Sequence, residues 1–202
     1  MNRMKIKYNK NIHFITVTLI MLLFFVHIYA SDTKYEKEYR IKEKDVPDEA
    51  IKFINTLDFD DDIKWYFDED LKENSIEAKT KHNKRKYSIE FDTFGKIRDV
   101  EIEMDWRDIP EKVRKNMTVQ LDSVFDSHKV GKIQIQYSGD KKVLRKLIKD
   151  EKTDKQYLTQ YEIISDGQKD KKWHSYQITF SDSGQIVKIY QIIFRNIDNL
   201  EF

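Results

Sequence analysis

The sequence predicts an α+β protein made of two tandem repeats, each a helix packed on a four-stranded antiparallel sheet, after an N-terminal signal peptide. Three observations lead to this prediction. The first thirty residues have the pattern of an export signal. Two proline-led apolar stripes of helical period lie 63 residues apart, and two alternating apolar hairpins lie 89 residues apart.

The export signal is predicted at residues 1–30. Arg3, Lys5, Lys7 and Lys10 form a basic start without an acid, residues 12–30 are mostly apolar, and Ala30 precedes a polar stretch. This order is typical of a cleaved signal peptide. The alternative is an uncleaved anchor, because about 17–20 apolar residues can span a bilayer. We expect a periplasmic or secreted protein that meets a membrane only through this segment, if it is retained.

The composition of the chain excludes some kinds of site and argues against one class of partner. The chain contains no cysteine, which excludes disulfides and thiolate metal sites. Removing residues 1–30 leaves 33 basic and 36 acidic residues, a net charge of −3. This balance argues against a nucleic-acid partner, which would require a concentrated basic face. Aromatic residues make up 13% of the chain, which favours a packed core over disorder despite the high charge.

Two helices are predicted behind the only prolines of the chain, Pro47 and Pro110. Proline suits the first helical turn because its missing N–H would have no partner there. Apolar residues follow at helical spacing in both stretches: Val46, Ala50, Phe53, Ile54 and Leu57, then Ile109, Val113, Met117, Leu121, Val124 and Phe125. We therefore expect a linker at 31–44, a first repeat at 45–105 and a second at 106–202.

The two hairpins align without a gap. Tyr87, Ile89 and Phe91 alternate before the turn at Gly95, and the same residue types alternate before Gly184: Tyr176, Ile178 and Phe180. Glycine supplies the positive φ that such turns need. The remaining predicted strands are 63–71, 75–81, 132–137, 156–165 and 173–181, with turns at 83–84 and 166–167.

The second half is 26 residues longer between its helix and its hairpin. We assign an insertion to residues 140–155, where Val143, Leu144, Leu147 and Ile148 predict a short amphipathic helix.

The paired Val46-Pro47 and Ile109-Pro110 helix starts, the Tyr-x-Ile-x-Phe strands and the turn glycines resemble the PepSY-like family of exported bacterial proteins. That family is related to β-lactamase-inhibitor-like and PepSY domains, often in tandem behind a signal peptide. The resemblance covers roughly residues 40–195, and Trp65 lies where family members often carry a tryptophan. It implies an extracytoplasmic module that binds or inhibits other proteins and brings no catalytic residues. The insertion departs from the pattern.

Aromatic residues are the candidate partner-binding residues. If one face of the sheet is left uncovered by the helices, its aromatic side chains would form a binding patch. The predicted partner-binding residues are Trp65, Phe67, Tyr157, Tyr161 and Tyr190. The alternative is ordinary packing between neighbouring strands.

Acidic residues give one candidate metal site. Asp58, Asp60, Asp62 and Glu69 have the spacing of a twelve-residue calcium loop. However, Ile63 stands where that loop needs glycine, so a solvated loop without a cofactor is the other interpretation.

We expect a non-enzymatic module that binds or inhibits another envelope or secreted protein. The chain has no G-x-S-x-G nucleophile motif and no glycine-rich phosphate loop. The alternative is a periplasmic protein that binds a small ligand or calcium.

Overall fold

The computed structural model describes residues 32–70 and 73–194. The predicted signal peptide therefore lies outside the described residues. Within them, no helix combines the length and apolar character that crossing a bilayer requires.

The described chain is a mixed α+β structure with a ten-stranded sheet and three α-helices. The strands are β1 (Asp32–Glu36), β2 (Glu38–Arg40), β3 (Lys64–Asp68), β4 (Ser75–His82), β5 (Arg85–Asp92), β6 (Ile97–Glu103), β7 (Ser127–Ser138), β8 (Leu158–Lys169), β9 (Lys172–Ser181) and β10 (Ile186–Phe194). The helices are α1 (Asp48–Ile54), α2 (Glu111–Val124) and α3 (Lys141–Ile148). Two short 3-10 turns precede α1 and α2, at Glu43–Asp45 and Trp106–Asp108.

Both proline-led helices form where the sequence predicts them. Pro47 and Pro110 are the N-cap residues of α1 and α2. The apolar stripe of α1 is buried, with Ala50 and Phe53 at most 1% exposed. In α2, Met117 and Leu121 are fully buried, and Phe125 continues the stripe beyond the helix.

The two turn glycines adopt the predicted conformation, with φ of +87° at Gly95 and +80° at Gly184. Asn83 and Lys84 form the predicted turn between β4 and β5. The turn expected at residues 166–167 is wrong: both residues lie inside β8, and the chain reverses at Asp170 and Lys171. Gly167 is needed for a different reason, since a Cβ there would lie 2.4 Å from the Phe125 ring.

All ten strands form one sheet, in the order β1-β10-β9-β8-β7-β6-β5-β4-β3-β2. Every neighbouring pair is antiparallel except β1 with β10, which is parallel. The four strands after each proline-led helix are therefore parts of a continuous sheet rather than two separate sheets. The junction is β6 with β7, where Ile102 pairs with Ile135.

One face of the sheet carries the apolar core. Alternate residues such as Ile76, Ile89 and Val100 pack beneath α1, and Ile163, Ile178 and Phe180 pack beneath α2. Because successive strand residues point to opposite faces, the residues between them must lie on the other side.

The insertion forms α3, as predicted. Asp140 caps it by accepting hydrogen bonds from the backbone N–H groups of Lys142 (2.8 Å) and Val143 (2.9 Å), and these bonds lower the pKa of Asp140. Leu144 and Ile148 belong to the core beneath α1. A segment from the second half of the chain thus completes the apolar core of the first.

Residues 31–44, expected as a linker, include strands β1 and β2. Glu36 of β1, one edge strand, pairs with Phe194 of β10, and Glu38 of β2, the other edge strand, pairs with Asp68 of β3. Only Lys37 separates them, so their Cα atoms can lie at most roughly 7 Å apart. Residues 32–40 therefore join both ends of the sheet, which curves into a ring.

We expect two pairs of engineered cysteines, one at each end of the sheet, to form disulfides that confirm this ring. Lys34→Cys with Ile192→Cys, and Glu38→Cys with Asp68→Cys, replace residues that face each other directly across the strand pairs. Each pair should oxidise to an intramolecular disulfide, detected by thiol titration and non-reducing electrophoresis, since the chain has no other cysteine. Lys34→Cys with Asp68→Cys, which are not paired, is the control. Equal oxidation of all three would contradict the ring.

Candidate functional site

The inner face of the ring, opposite the core, encloses a polar cavity of about 530 Å³. Residues from strands across the whole sheet line this cavity. Lys34 of β1 and Glu38 of β2 contribute to the lining from the two ends of the sheet. Its lining carboxylates are Glu38, Asp68, Glu77, Glu90, Glu101 and Glu162, and its lining lysines are Lys34, Lys132 and Lys188. Among these described lining residues, acids outnumber lysines by six to three.

The alternation of each strand produces this lining. On β8, Tyr161 and Ile163 enter the core, whereas Gln160 and Glu162 line the cavity. On β9, Ile178 is buried in the core between Gln177 and Thr179, which line the cavity. The same residues that fix the register for the core therefore fix which polar groups face inward.

The register sets three carboxylates directly side by side. Glu77 pairs with Glu90, and Glu90 pairs with Asp99, on the adjacent strands β4, β5 and β6. Like charges in directly opposite positions destabilise a sheet. Lys79 lies 3.0 Å from Glu77 and Arg98 lies 3.0 Å from Glu90, so these two acids have cationic partners.

Asp99 is the most deeply buried of the three acids, with 9% of its surface exposed. Its Oδ1 has no hydrogen-bond partner among the described residues. Burial, together with the negative charges of Glu90 and Glu162, raises the pKa of Asp99 well above its usual range.

Glu101 lies two residues further along β6 on the same face. Burial, followed by the charges of Glu162 and Asp99, raises the pKa of Glu101 well above its usual value, and Lys132 opposes this rise. The Nε2 of Gln136 donates to its Oε1 over 3.3 Å. The Nε2 of Gln177 likewise donates a hydrogen bond to Glu162 Oε2.

A second recess of about 370 Å³ adjoins this cavity and shares Lys132 and Gln134 with it. Its lining is richer in lysine: Lys64, Lys79, Lys81, Lys86 and Lys132, with Asp61, Asp62 and Glu103. The inner face therefore has an acidic part, centred on β6, and a lysine-rich part beside it.

Replacing Asp99 by asparagine should stabilise the fold at neutral pH by about 1–3 kcal/mol, the range of the desolvation penalty of a buried polar group. The reason is that the neutral amide carries no charge beside Glu90 and Glu162. Because the pKa of Asp99 is raised, the folded state holds the proton to higher pH than the unfolded state, so wild-type stability falls as pH rises through that window. The gain should therefore vanish below about pH 3.9, the pKa of unfolded aspartate.

Urea denaturation of both proteins across pH measures this gain as a difference in the free energy of unfolding. The matched control is Glu111→Gln on α2, whose exposed carboxylate pairs with Lys115 one helical turn away. A gain of equal size at every pH would contradict the assignment.

The structure does not bring the five predicted aromatic residues together. Trp65 and Tyr161 are buried in the core, at 4% and 5% exposure, and Phe67 packs against the core edge. The expectation of an open-face patch is corrected for these three, because they lie on the face that packs against the helices. Tyr190 lines the cavity, and Tyr157 precedes β8 and packs edge-on against Tyr137.

The four predicted calcium ligands also do not converge. Asp58 lies 3.5 Å from Lys149, Asp60 accepts a hydrogen bond from the Asn83 N–H, and Glu69 pairs with Lys37. Within residues 32–70 and 73–194, no group of three His, Cys, Asp or Glu residues is placed to hold a metal ion.

Sequence reasoning did not select Asp99, Glu101 or Glu162. The available signal was the run of charged and amide residues at the alternate positions of the apolar hairpins, such as Glu90 and Asp99. Such positions are ordinarily solvated, and only the curvature of the sheet encloses them: Glu90, Glu101 and Glu162 line the cavity, and Asp99 is buried beside them.

Comparisons with known proteins give similarity of fold only. No family model matches the chain, and no curated protein matches it. A DUF2874 family protein from Bacteroides ovatus has 11% identity to this chain and a TM-score of 0.47. The match covers 72% of this chain and 87% of that protein's chain. A Bacteroides eggerthii protein provisionally assigned to the periplasm has 13% identity and a TM-score of 0.46, covering 72% and 88%. A BLIP-like protein from Bacteroides fragilis has 16% identity and a TM-score of 0.44, covering 77% and 92%.

Proposed function

We propose that this chain is an exported, non-enzymatic PepSY-like protein that binds or inhibits another envelope or secreted protein through the inner face of its sheet. The observation that carries the proposal is the division of the sheet into two unlike faces. The helices and the apolar core occupy the outer face, whereas the inner face has a polar cavity of about 530 Å³.

The chemistry of the inner face supports binding. Polar groups held in place on a concave surface orient a bound molecule and make its binding specific. Buried acids whose ionisation is disfavoured reduce fold stability, and such groups concentrate at functional sites. The export pattern of residues 1–30 supports a partner outside the cytoplasm.

The test is capture of a partner from envelope extract by the protein from residue 31 onward. Tyr190→Ala alters the inner face, whereas Val119→Ala alters an exposed apolar residue of α2, 64% exposed. A partner retained by wild type and Val119→Ala but lost by Tyr190→Ala supports the proposal. Equal capture by all three places binding elsewhere and counts against it.

A small-molecule ligand is the second candidate, favoured by the ring itself. The cavity volume lies within the range of about 300–1,000 Å³ that small-ligand sites occupy. A ligand that binds only the folded state raises the apparent stability by RT ln(1 + [L]/Kd), so the rise grows with ligand concentration. Thermal stabilisation by one compound without any captured protein would favour this candidate, and calcium chloride belongs in the screen because of the Asp58–Glu69 spacing.

A further inference from the structure

Two buried polar side chains open into the cavity without a partner. Gln134 of β7 is 4% exposed and Thr179 of β9 is 8% exposed, and both line the cavity. Within residues 32–70 and 73–194, neither the Gln134 amide nor the Thr179 hydroxyl makes a side-chain hydrogen bond. Neither group belongs to the polar atoms that are fully enclosed by protein without a partner, so both face the cavity space. Because buried polar groups are ordinarily hydrogen-bonded, these two are available to a molecule in the cavity.

The register sets these two groups in one row across the sheet. Gln134 pairs with Glu162, and Glu162 pairs with Thr179, on the adjacent strands β7, β8 and β9. Lys188 of β10 continues the row beside Thr179 and also lines the cavity. Neighbouring strands lie about 4.8 Å apart, so an amide, a carboxylate, a hydroxyl and an ammonium group follow one another closely along the wall.

This row contains both signs of charge and both kinds of hydrogen-bonding group. An ionised Glu162 only accepts hydrogen bonds and Lys188 only donates them, whereas the amide and the hydroxyl do both. The whole lining has the same mixture, with six carboxylates and three lysines. An ion of either sign would therefore meet like charges in the cavity. The hydroxyl groups of a neutral ligand avoid this conflict, because a hydroxyl can donate to a carboxylate and accept from a lysine.

The cavity also has an apolar part. Tyr190 and Ile192 lie two residues apart on the same face of β10, and Ile164 of β8 lines the cavity with them. Ile192 is only 6% exposed, yet it is not part of either apolar core. A ligand that matches this lining therefore has an apolar surface next to several hydroxyl groups.

We propose that the cavity binds a neutral saccharide. Its hydroxyl groups bond with the Gln134 amide and the Thr179 hydroxyl, and the apolar C–H face of its sugar ring packs against Tyr190 and Ile192. This inference rests on the proposed function, because it takes the inner face as the binding face and names the chemical class that this face recognises. The saccharide is either a free small molecule or a glycan carried by a partner.

The test is calorimetric titration of the protein from residue 31 onward with neutral trisaccharides of glucose, galactose, mannose and N-acetylglucosamine. We expect saturable binding of at least one of them. Gln134→Met and Thr179→Val keep the approximate side-chain size and remove the polar group, so each should weaken that binding by about tenfold, the effect of one hydrogen bond. Gln156→Met and Thr93→Val, at exposed positions outside the cavity, should bind as wild type does.

Urea denaturation separates a loss of binding from a loss of folding. Because neither polar group has a hydrogen-bond partner within the described chain, its removal should leave the free energy of unfolding unchanged or raise it. A clear loss of stability in both Gln134→Met and Thr179→Val would mean that these groups hold the fold rather than a ligand, and it would overturn the proposal.

Periodate oxidation of the glycans in the envelope extract distinguishes the two sources. Loss of partner capture after oxidation assigns the saccharide to a glycan of the partner, and unchanged capture assigns it to a free molecule. Absence of saturable binding by every trisaccharide, or wild-type affinity in both cavity variants, overturns the saccharide site. If envelope capture still depends on Tyr190 in that case, the proposed function stands without this inference.

Discussion

Replacing Trp65 by alanine is expected to lower the free energy of unfolding by about 3–5 kcal/mol, which is a large part of the total. Trp65 lies on β3, is 4% exposed and belongs to the core beneath α1. Its ring centroid lies 6.0 Å from that of Phe91. Removing the indole leaves a cavity that strands held in register by their hydrogen bonds cannot close, so the lost contacts are not recovered.

The measurement is urea denaturation followed by circular dichroism, with Trp65→Phe as the matched variant. Phenylalanine keeps an aromatic ring in the core, and the indole N–H that it removes has no hydrogen-bond partner within the described chain. Trp65→Phe should therefore lose much less stability than Trp65→Ala. If Trp65→Ala is as stable as wild type but fails to capture a partner, Trp65 is a binding residue and its placement in the core is wrong.

Replacing Gly184 by alanine is expected to cost about 2–5 kcal/mol, because two penalties act together. The φ of +80° places an L-residue in the left-handed region, at roughly 1–2 kcal/mol. A Cβ at this position would also lie 2.5 Å from the carbonyl oxygen of Val113 on α2. Overpacking of this kind adds about 1–3 kcal/mol, and here the obstacle is backbone, which cannot rotate away.

Gly139→Ala is the control for Gly184→Ala. The nearest atom to its added Cβ is the Tyr157 Cβ at 3.3 Å, and its φ is not positive. Thermal and urea denaturation should show a much smaller loss for this variant. Equal losses at both positions would mean that the turn before β10 does not hold α2 against the sheet as closely as the structure indicates.

Gly95 and Gly184 show what local sequence can and cannot reveal. Their positions after Tyr-x-Ile-x-Phe strands predict two hairpin turns, and both turns form with positive φ. The sequence does not reveal that each glycine also lies against the start of a helix, where a Cβ at Gly95 would be 2.9 Å from the Ala50 nitrogen. The same limit explains residue 167, whose glycine is required by Phe125 rather than by a turn.

The N-terminal strands show a second limit. Residues 32–40 carry no apolar alternation that would predict a strand. They nevertheless form β1 and β2, which pair by backbone hydrogen bonds at the two ends of the sheet. Their partners, β10 and β3, lie far away along the chain. Local pattern therefore indicates a linker, although tertiary pairing makes this segment the connection that closes the ring.

The sequence by itself determined the elements that depend on local periodicity: the helices after Pro47 and Pro110, the two hairpins, the insertion helix and most of the buried apolar residues. Only the tertiary structure decided that all strands form one sheet, that α3 completes the core beneath α1, and that Glu101 and Glu162 share a cavity wall with Asp99 buried beside them. The physical reason is that periodicity specifies which face a side chain occupies, whereas strand order and sheet curvature arise from contacts between distant residues. An acidic side chain opposite the core is solvated on a flat sheet, and it becomes a buried group with a raised pKa only when the sheet curves around it.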